Sequence, residues 1–274
     1  MRIKVRHQTD YHYGQPARSA LQLLRMTPRS HEGQFVRRWR VEVDADARLD
    51  KSEDAYGNIT HLIYVEGPVA SVRILIDGEV DTTDTGGFTL GSVERQPPRL
   101  FLRETALTLP SPQIRAFAAG IAASQGGDLV ASLHKIMGEL QRGMEFRVGA
   151  TSTTTTAEQA FLAKAGVCQD FAHIFCVAAR ALGVPARYVG GYYLRTDTID
   201  QDAGHAWAEA YLNGLGWLGF DPANGLCVTD RYVRVAVGCD YLDAAPVRGA
   251  QTGGTDEALS VAIQIQQGQA IAQD

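Results

Sequence analysis

The sequence predicts an α+β protein, with an antiparallel β domain over residues 1–95 and then, over 96–274, helices packed on a second antiparallel sheet. Three observations carry this. Up to about Thr85 the chain is built of short β-rich runs broken by Gly, Pro and Asp/Asn clusters. After Ser111-Pro112 apolar residues recur at helical spacing, and beyond Pro185 strand-like runs return. With 274 residues and 45% hydrophobic content, the chain can bury the core of one large domain or two ordinary ones.

The first part reads as the runs IKVRHQTDYHY, ALQLLRMTP, FVRRWRVEVD, NITHLIYVEG and VASVRILIDGEVD. Their punctuation fits a separate antiparallel sheet or sandwich, and TGGFTLGS with RQPPRLFLRE marks a connecting stretch. Ile114, Phe117, Ala118 and Ile121, then Leu129, Leu133, Ile136, Met137 and Leu140, predict two helices joined near Gly126-Gly127. Thr155 to Glu158 has capping-box spacing, so a short helix is expected from there to about Gly166. The next helix should bury Phe171, Ile174, Phe175, Ala178 and Leu182 and stop at Gly183 and Pro185. PARYVGGYYL, HAWAEAYL, GWLGFD and, after a Pro/Gly/Thr-rich loop, ALSVAIQIQQ read as strands of the second sheet. The Gln-rich tail carries composition only.

The bulk properties exclude several functions. A formal charge of −5 argues against a nucleic-acid footprint or an anionic membrane surface as partner. The start, MRIKVRHQTDYHYG, has no apolar stretch of signal-peptide length, so a cytoplasmic location is expected. Cys168, Cys176, Cys227 and Cys239 are too few and too scattered for a disulfide scaffold or a C-x-x-C metal or redox site.

Cys168 follows Gly166-Val167 at the head of a predicted helix. Amide N–H groups and the dipole at a helix N-terminus stabilise a thiolate, and an imidazolium beside it does so further. In HAWAEAYL the residues His205, Trp207, Glu209 and Tyr211 share one strand face, and in GWLGFD so do Trp217, Gly219 and Asp221. One apolar face requires the alanines to line up with Leu218 and Phe220, which only an odd-length loop allows. A loop over 213–215 opposes 212 to 216 and 208 to 220. Asp221 is then a diagonal neighbour of His205, at ~7–8 Å between backbones, within reach of a hydrogen bond.

Cys168 as nucleophile, His205 as base and acid, and Asp221 as orienter of the imidazole make a complete set for acyl transfer. The Cys168 N–H is one oxyanion donor, with Gln169 or a polar group between Thr151 and Thr156 as candidates for a second. Trp207 either shields the site or fills the core, and Asp170, His173 and Cys176 are expected in structural roles.

GVCQDFAH, GVPARYVGGY, HAWAE and GWLGFDPANG, in that order and spacing, resemble the bacterial transglutaminase-like superfamily. The resemblance implies a papain-like core, here following the β domain found in many bacterial members. On it Cys168, His205 and Asp221 match the family's catalytic triad. It also implies acyl chemistry without a cofactor or metal; calcium, used by some animal members, has no evident acidic loop here. The expected partner is a peptide or protein substrate, with oligomeric state left open. Hydrolysis of the Cys168 thioester by water, as in a cysteine peptidase or amidase, is the leading function. Its alternatives are transfer to an amine, as in a transglutaminase, and a non-catalytic peptide-binding module docking through a strand edge.

Overall fold

The computed structural model describes residues 1–268; the end of the Gln-rich tail lies outside the described residues. It opens with β1 (Arg2–Thr27), β2 (Gln34–Asp44), β3 (Ala47–Glu53) and β4 (Ile59–Thr82). A linker carries β5 (Phe88–Thr89) and a 3₁₀ turn at Pro98–Leu102. Then come α1 (Pro112–Ser124), α2 (Leu129–Gly143), β6 (Glu145–Phe146), α3 (Ala157–Ala163), β7 (Ala165–Gly166) and α4 (Cys168–Ala181). The chain finishes through β8 (Ala186–Tyr193), β9 (Asp200–Gln201), β10 (His205–Leu212), β11 (Gly216–Asp221), β12 (Leu226–Cys227), β13 (Tyr232–Gly238), α5 (Tyr241–Ala244) and β14 (Val247–Gln267).

Two six-stranded antiparallel sheets result, ordered β2-β4-β1-β14-β9, with β3 on β4, and β12-β11-β10-β8-β13, with β5 on β11. The helices cover one face of the second sheet. Ile114, Leu133, Ile136, Leu140, Ile174 and Phe175 pack there against Ala208, Ala210, Leu218 and Phe220. The first sheet packs beside the helices on this same face, where Ile3, Val5, Ile263 and Ile265 share a core with Tyr192, Leu194 and Val233.

The long strands correct the short runs read from the sequence. Pro16 and the Gly67-Pro68 pair do not turn the chain; register shifts between His12 and Ser19 absorb them, and β1 and β4 run on as single bent strands. An extra residue in one strand costs little where it only increases twist.

A second correction concerns the boundary at 95/96. β14 belongs to the first sheet, pairing with β1 from Ile3↔Gln267 to Leu24↔Val247. Its alternation of Val261, Ile263 and Ile265 does indicate a strand with one buried face. The partner is β1 because that strand would otherwise present an unpaired edge at the centre of the sheet. The Pro/Gly/Thr-rich stretch ahead of ALSVAIQIQQ is thus strand as well, bent at Gly253 and Gly254, both with positive φ.

The helices follow local chemistry. Ser111 and Asp128 cap α1 and α2 through their side chains. The capping box of α3 is Thr156 with Gln159, one residue beyond the pair read from the sequence, and the helix ends at Lys164 in the left-handed region. Among the described residues no helix is long and apolar enough to cross a membrane.

Candidate active site

Cys168 is the first residue of α4, where helical geometry gives the amide no intrahelical acceptor. Asp170, one turn in, fixes that start: its Oδ2 accepts the Val167 N–H at 2.8 Å and the Thr151 hydroxyl at 2.6 Å. Burial raises the Asp170 carboxyl above its ordinary value, and these hydrogen bonds oppose the shift. The fit needs a glycine, since a Cβ on Gly166 would sit 2.6 Å from Asp170 Oδ2.

β10 and β11 pair as Ala208↔Phe220 and Leu212↔Gly216, the register required by the 213–215 loop. Asp221 therefore reaches His205 on the same face, with Oδ2 at 2.6 Å from His205 Nε2. The carboxylate is fully buried and well supplied with donors. Oδ2 also accepts from the Tyr232 hydroxyl and Asn224 Nδ2, each at 2.7 Å, and Oδ1 accepts the N–H groups of Ala223 and Asn224.

Electrostatics follow from this. Burial disfavours a charged His205, but the Asp221 carboxylate and its hydrogen bond, joined by Cys168, outweigh it and raise the imidazole to about 10. Burial would raise Asp221, yet the His205 charge and the hydrogen bonds from His205, Tyr232 and Asn224 hold it below the ordinary range. With Nε2 on Asp221, Nδ1 is the nitrogen left for Cys168. The imidazole thus keeps its proton beside the Cys168 sulfur through neutral pH.

The other predicted residues divide clearly. Gln169 lines the same cleft as Cys168 and His205. Trp207 is 1% exposed and sits behind the imidazole, ring centroids 6.3 Å apart, against Tyr232; it fills the core and is not part of the cleft wall. His173 is buried, accepts the Tyr241 N–H at 3.0 Å, and is driven down to about 3 by burial and then by Arg180. Cys176 is buried and its thiol is pushed up to about 12, chiefly by burial. Thr151 and Thr156 are taken up by Asp170 and the α3 cap. Gly191 must be glycine, because a Cβ there would lie 2.1 Å from the Val233 carbonyl.

Three functional elements escaped the sequence reading. Tyr232 lies on β13, whose alternation in YVRVAV was the available signal. Asn224 orients both Asp221 and His205 from the turn after β11. The third is the cleft itself, about 300 Å³, walled by His7, Thr9 and Tyr11 of β1 and by Leu259 and Val261 of β14 as well as by the core. Nothing local in those strands signals a cleft.

Comparison with known proteins identifies the family. Residues 115–222 match the transglutaminase-like superfamily, and residues 3–81 match the bacterial transglutaminase-like N-terminal region. An uncharacterized protein of Mycobacterium tuberculosis is 32% identical over 291 residues, spanning 96% of this chain and 92% of the relative. The chain belongs to the transglutaminase-like superfamily. Another relative, a protein-glutamine gamma-glutamyltransferase of Pseudomonas aeruginosa, is 29% identical over 180 residues, 53% of this chain and 26% of its own. The crystal structure of a candidate cysteine protease from Cytophaga hutchinsonii superposes with a TM-score of 0.73 at 21% identity, covering 97% of this chain and 98% of that one. This transglutaminase-like chain thus has the superfamily's core and its bacterial N-terminal region, and cysteine-based catalysis is the chemistry that goes with them.

Proposed function

We propose that this protein cleaves amide bonds through a Cys168 thioester. The thiolate of Cys168 attacks the amide carbonyl carbon, and the Cys168 N–H supports the oxyanion. The C–N bond breaks as His205 gives its proton to the leaving amine. Water, deprotonated by His205, then attacks the thioester, the C–S bond breaks, and the acid leaves with the thiolate–imidazolium pair restored. Asp221 keeps the imidazole oriented throughout and stabilises its charged form each time it takes a proton.

One observation carries this reading: His205 stands at the cleft between the buried Asp221 carboxylate and Cys168. A second reading, resolution of the thioester by an amine, is favoured by the mostly apolar cleft walls around Cys168, since they hold water back from the acyl group.

The test is incubation with a library of Gln-containing peptides, with and without a primary amine, read by mass. Cleavage or deamidation supports hydrolysis, and amine incorporation supports transfer. No mass change, with iodoacetamide alkylation of Cys168 equal in wild type and His205→Ala, overturns both.

A further inference from the structure

The free edge of β14 continues straight into the cleft. β14 pairs with β1 along one side and, among the described residues, on its other side with β9 alone, at Ile263↔Gln201 and Gln264↔Asp200. The Ile265 N–H donates to the Ile199 carbonyl at 2.9 Å, which fixes the direction in which this strand's backbone points. In an extended strand a residue's N–H and C=O point to the same side, and the side alternates along the chain. The register with β1 is unbroken from Gln267 to Glu257. The N–H and C=O groups of Leu259 and Val261 therefore point away from β1, past the end of β9, where among the described residues no backbone group bonds them and Asp202 to Gly204 form the adjoining cleft wall. The side chains of these same two residues line the cleft that holds Cys168 and His205, and Leu259 is 56% exposed.

The cleft between them is apolar and roomy where side chains are missing. Gly190 and Ala206 leave the space, and a Cβ on Gly190 would meet nothing closer than 3.5 Å. Tyr11, Tyr188 and Val247 close it. His7, the buried imidazole in the wall, spends both nitrogens on Tyr192 and Thr9, and burial lowers it to about 4, so it contributes no charge.

Building on the thioester reading, we propose that the substrate is an extended peptide that pairs as an added strand with Leu259 and Val261 on the open edge of β14 and lowers one bulky apolar side chain into the cleft beside Cys168. Main-chain pairing supplies affinity at any sequence, and the cleft supplies selectivity for a Leu- or Phe-sized residue. The N-terminal sheet is then the specificity element of the site, since β1 and β14 provide both the edge and the outer wall.

The experiment uses peptidyl chloromethyl ketones that differ at one side chain, Gly, Leu, Phe or Lys. Each inactivation rate constant is divided by the iodoacetamide alkylation rate of Cys168 in the same variant. Leu and Phe reagents should exceed Gly and Lys by tenfold or more. N-methylation of the reagent's pairing amides should remove tenfold or more in wild type, and Leu259→Pro should do the same. Proline is tolerated there because the Leu259 N–H faces the edge and not β1. A flat side-chain series, or reagents indifferent to N-methylation, overturns the proposal, and does so even where Leu259→Pro fails to fold. An inert Cys168 would sink the thioester reading instead. Binding of the same peptides, as plain amides, to Cys168→Ser by fluorescence anisotropy then decides the edge and cleft by the same ratios.

Discussion

Asp221 does not face His205 across the β10–β11 ladder; it reaches the imidazole diagonally, and Tyr232 from a third strand fixes the carboxylate in that reach. A directly opposed residue would be Trp207 by the same register, and it lies behind the ring. The offset leaves the imidazole at the end of β10 free to turn toward α4, where Cys168 begins the helix.

The pH profile of turnover should reflect this pair. His205, raised to about 10, keeps its proton through neutral pH, so the thiolate-supporting charge is lost only as pH rises through about 10. The same shift means that the imidazolium stabilises the fold fully below about 6.5, its unfolded value, and that this contribution also disappears through about 10. Asp221→Asn leaves burial as the dominant influence. The alkaline limb of the turnover profile, which needs the protonated imidazole, should then move to lower pH, and turnover should drop by about 10²–10⁴.

Glu209, on β10, is a structural counterpart to Asp221 on the same face of the sheet. Its carboxylate, 1% exposed, bonds Arg187 Nε at 2.7 Å, Arg234 Nε at 2.8 Å and the Thr89 hydroxyl, while Glu94 takes the rest of Arg187. Glu209→Ala leaves two buried guanidiniums short of a partner and should cost about 3–5 kcal/mol in urea unfolding. Burial would raise this carboxyl, but Arg234 and Arg187 depress it strongly, so its contribution is present above the ordinary carboxylate range and fades as pH falls below it.

Gly166→Ala should loosen the start of α4. The new methyl meets Asp170 Oδ2, and relieving that contact breaks the bond to the Val167 N–H. A loss of about 1–3 kcal/mol and slower Cys168 alkylation are expected. Gly120→Ala is the control: on α1, with open space around it, the change should raise the urea midpoint slightly.

Deleting residues 1–95 should not release a working core. β14 would lose the whole of β1 as its partner, and Tyr192, Leu194 and Val233 would lose Ile3 and Val5. Size-exclusion chromatography and near-UV circular dichroism should show aggregation or loss of fixed packing. A monodisperse product with native near-UV signal would contradict this.

The site was legible because parity is a strong constraint. One apolar face on β10 and β11 admits one register, and the register brings His205 to Asp221 without knowledge of any other strand. The helices were legible by period and caps, although Thr156, not Thr155, proved to be the cap of α3. The partner of β14 was not legible, because alternation in Val261, Ile263 and Ile265 shows that a face is buried and says nothing about which strand lies alongside. The cleft wall was hidden for the same reason, since His7, Tyr11 and Leu259 reach Cys168 only through that long-range pairing.

Because β14 lies between β1 and β9, the order of synthesis matters. During translation at about 5–20 residues per second, β1 emerges and then waits on the order of tens of seconds for its neighbour. Through that interval the Cys168 helix can already form while the Leu259 and Val261 side of the wall around it does not exist. The nascent chain therefore carries its thiol before the cleft around it is complete, and β14, made after the other strands that wall the cleft, is the one that completes the enclosure.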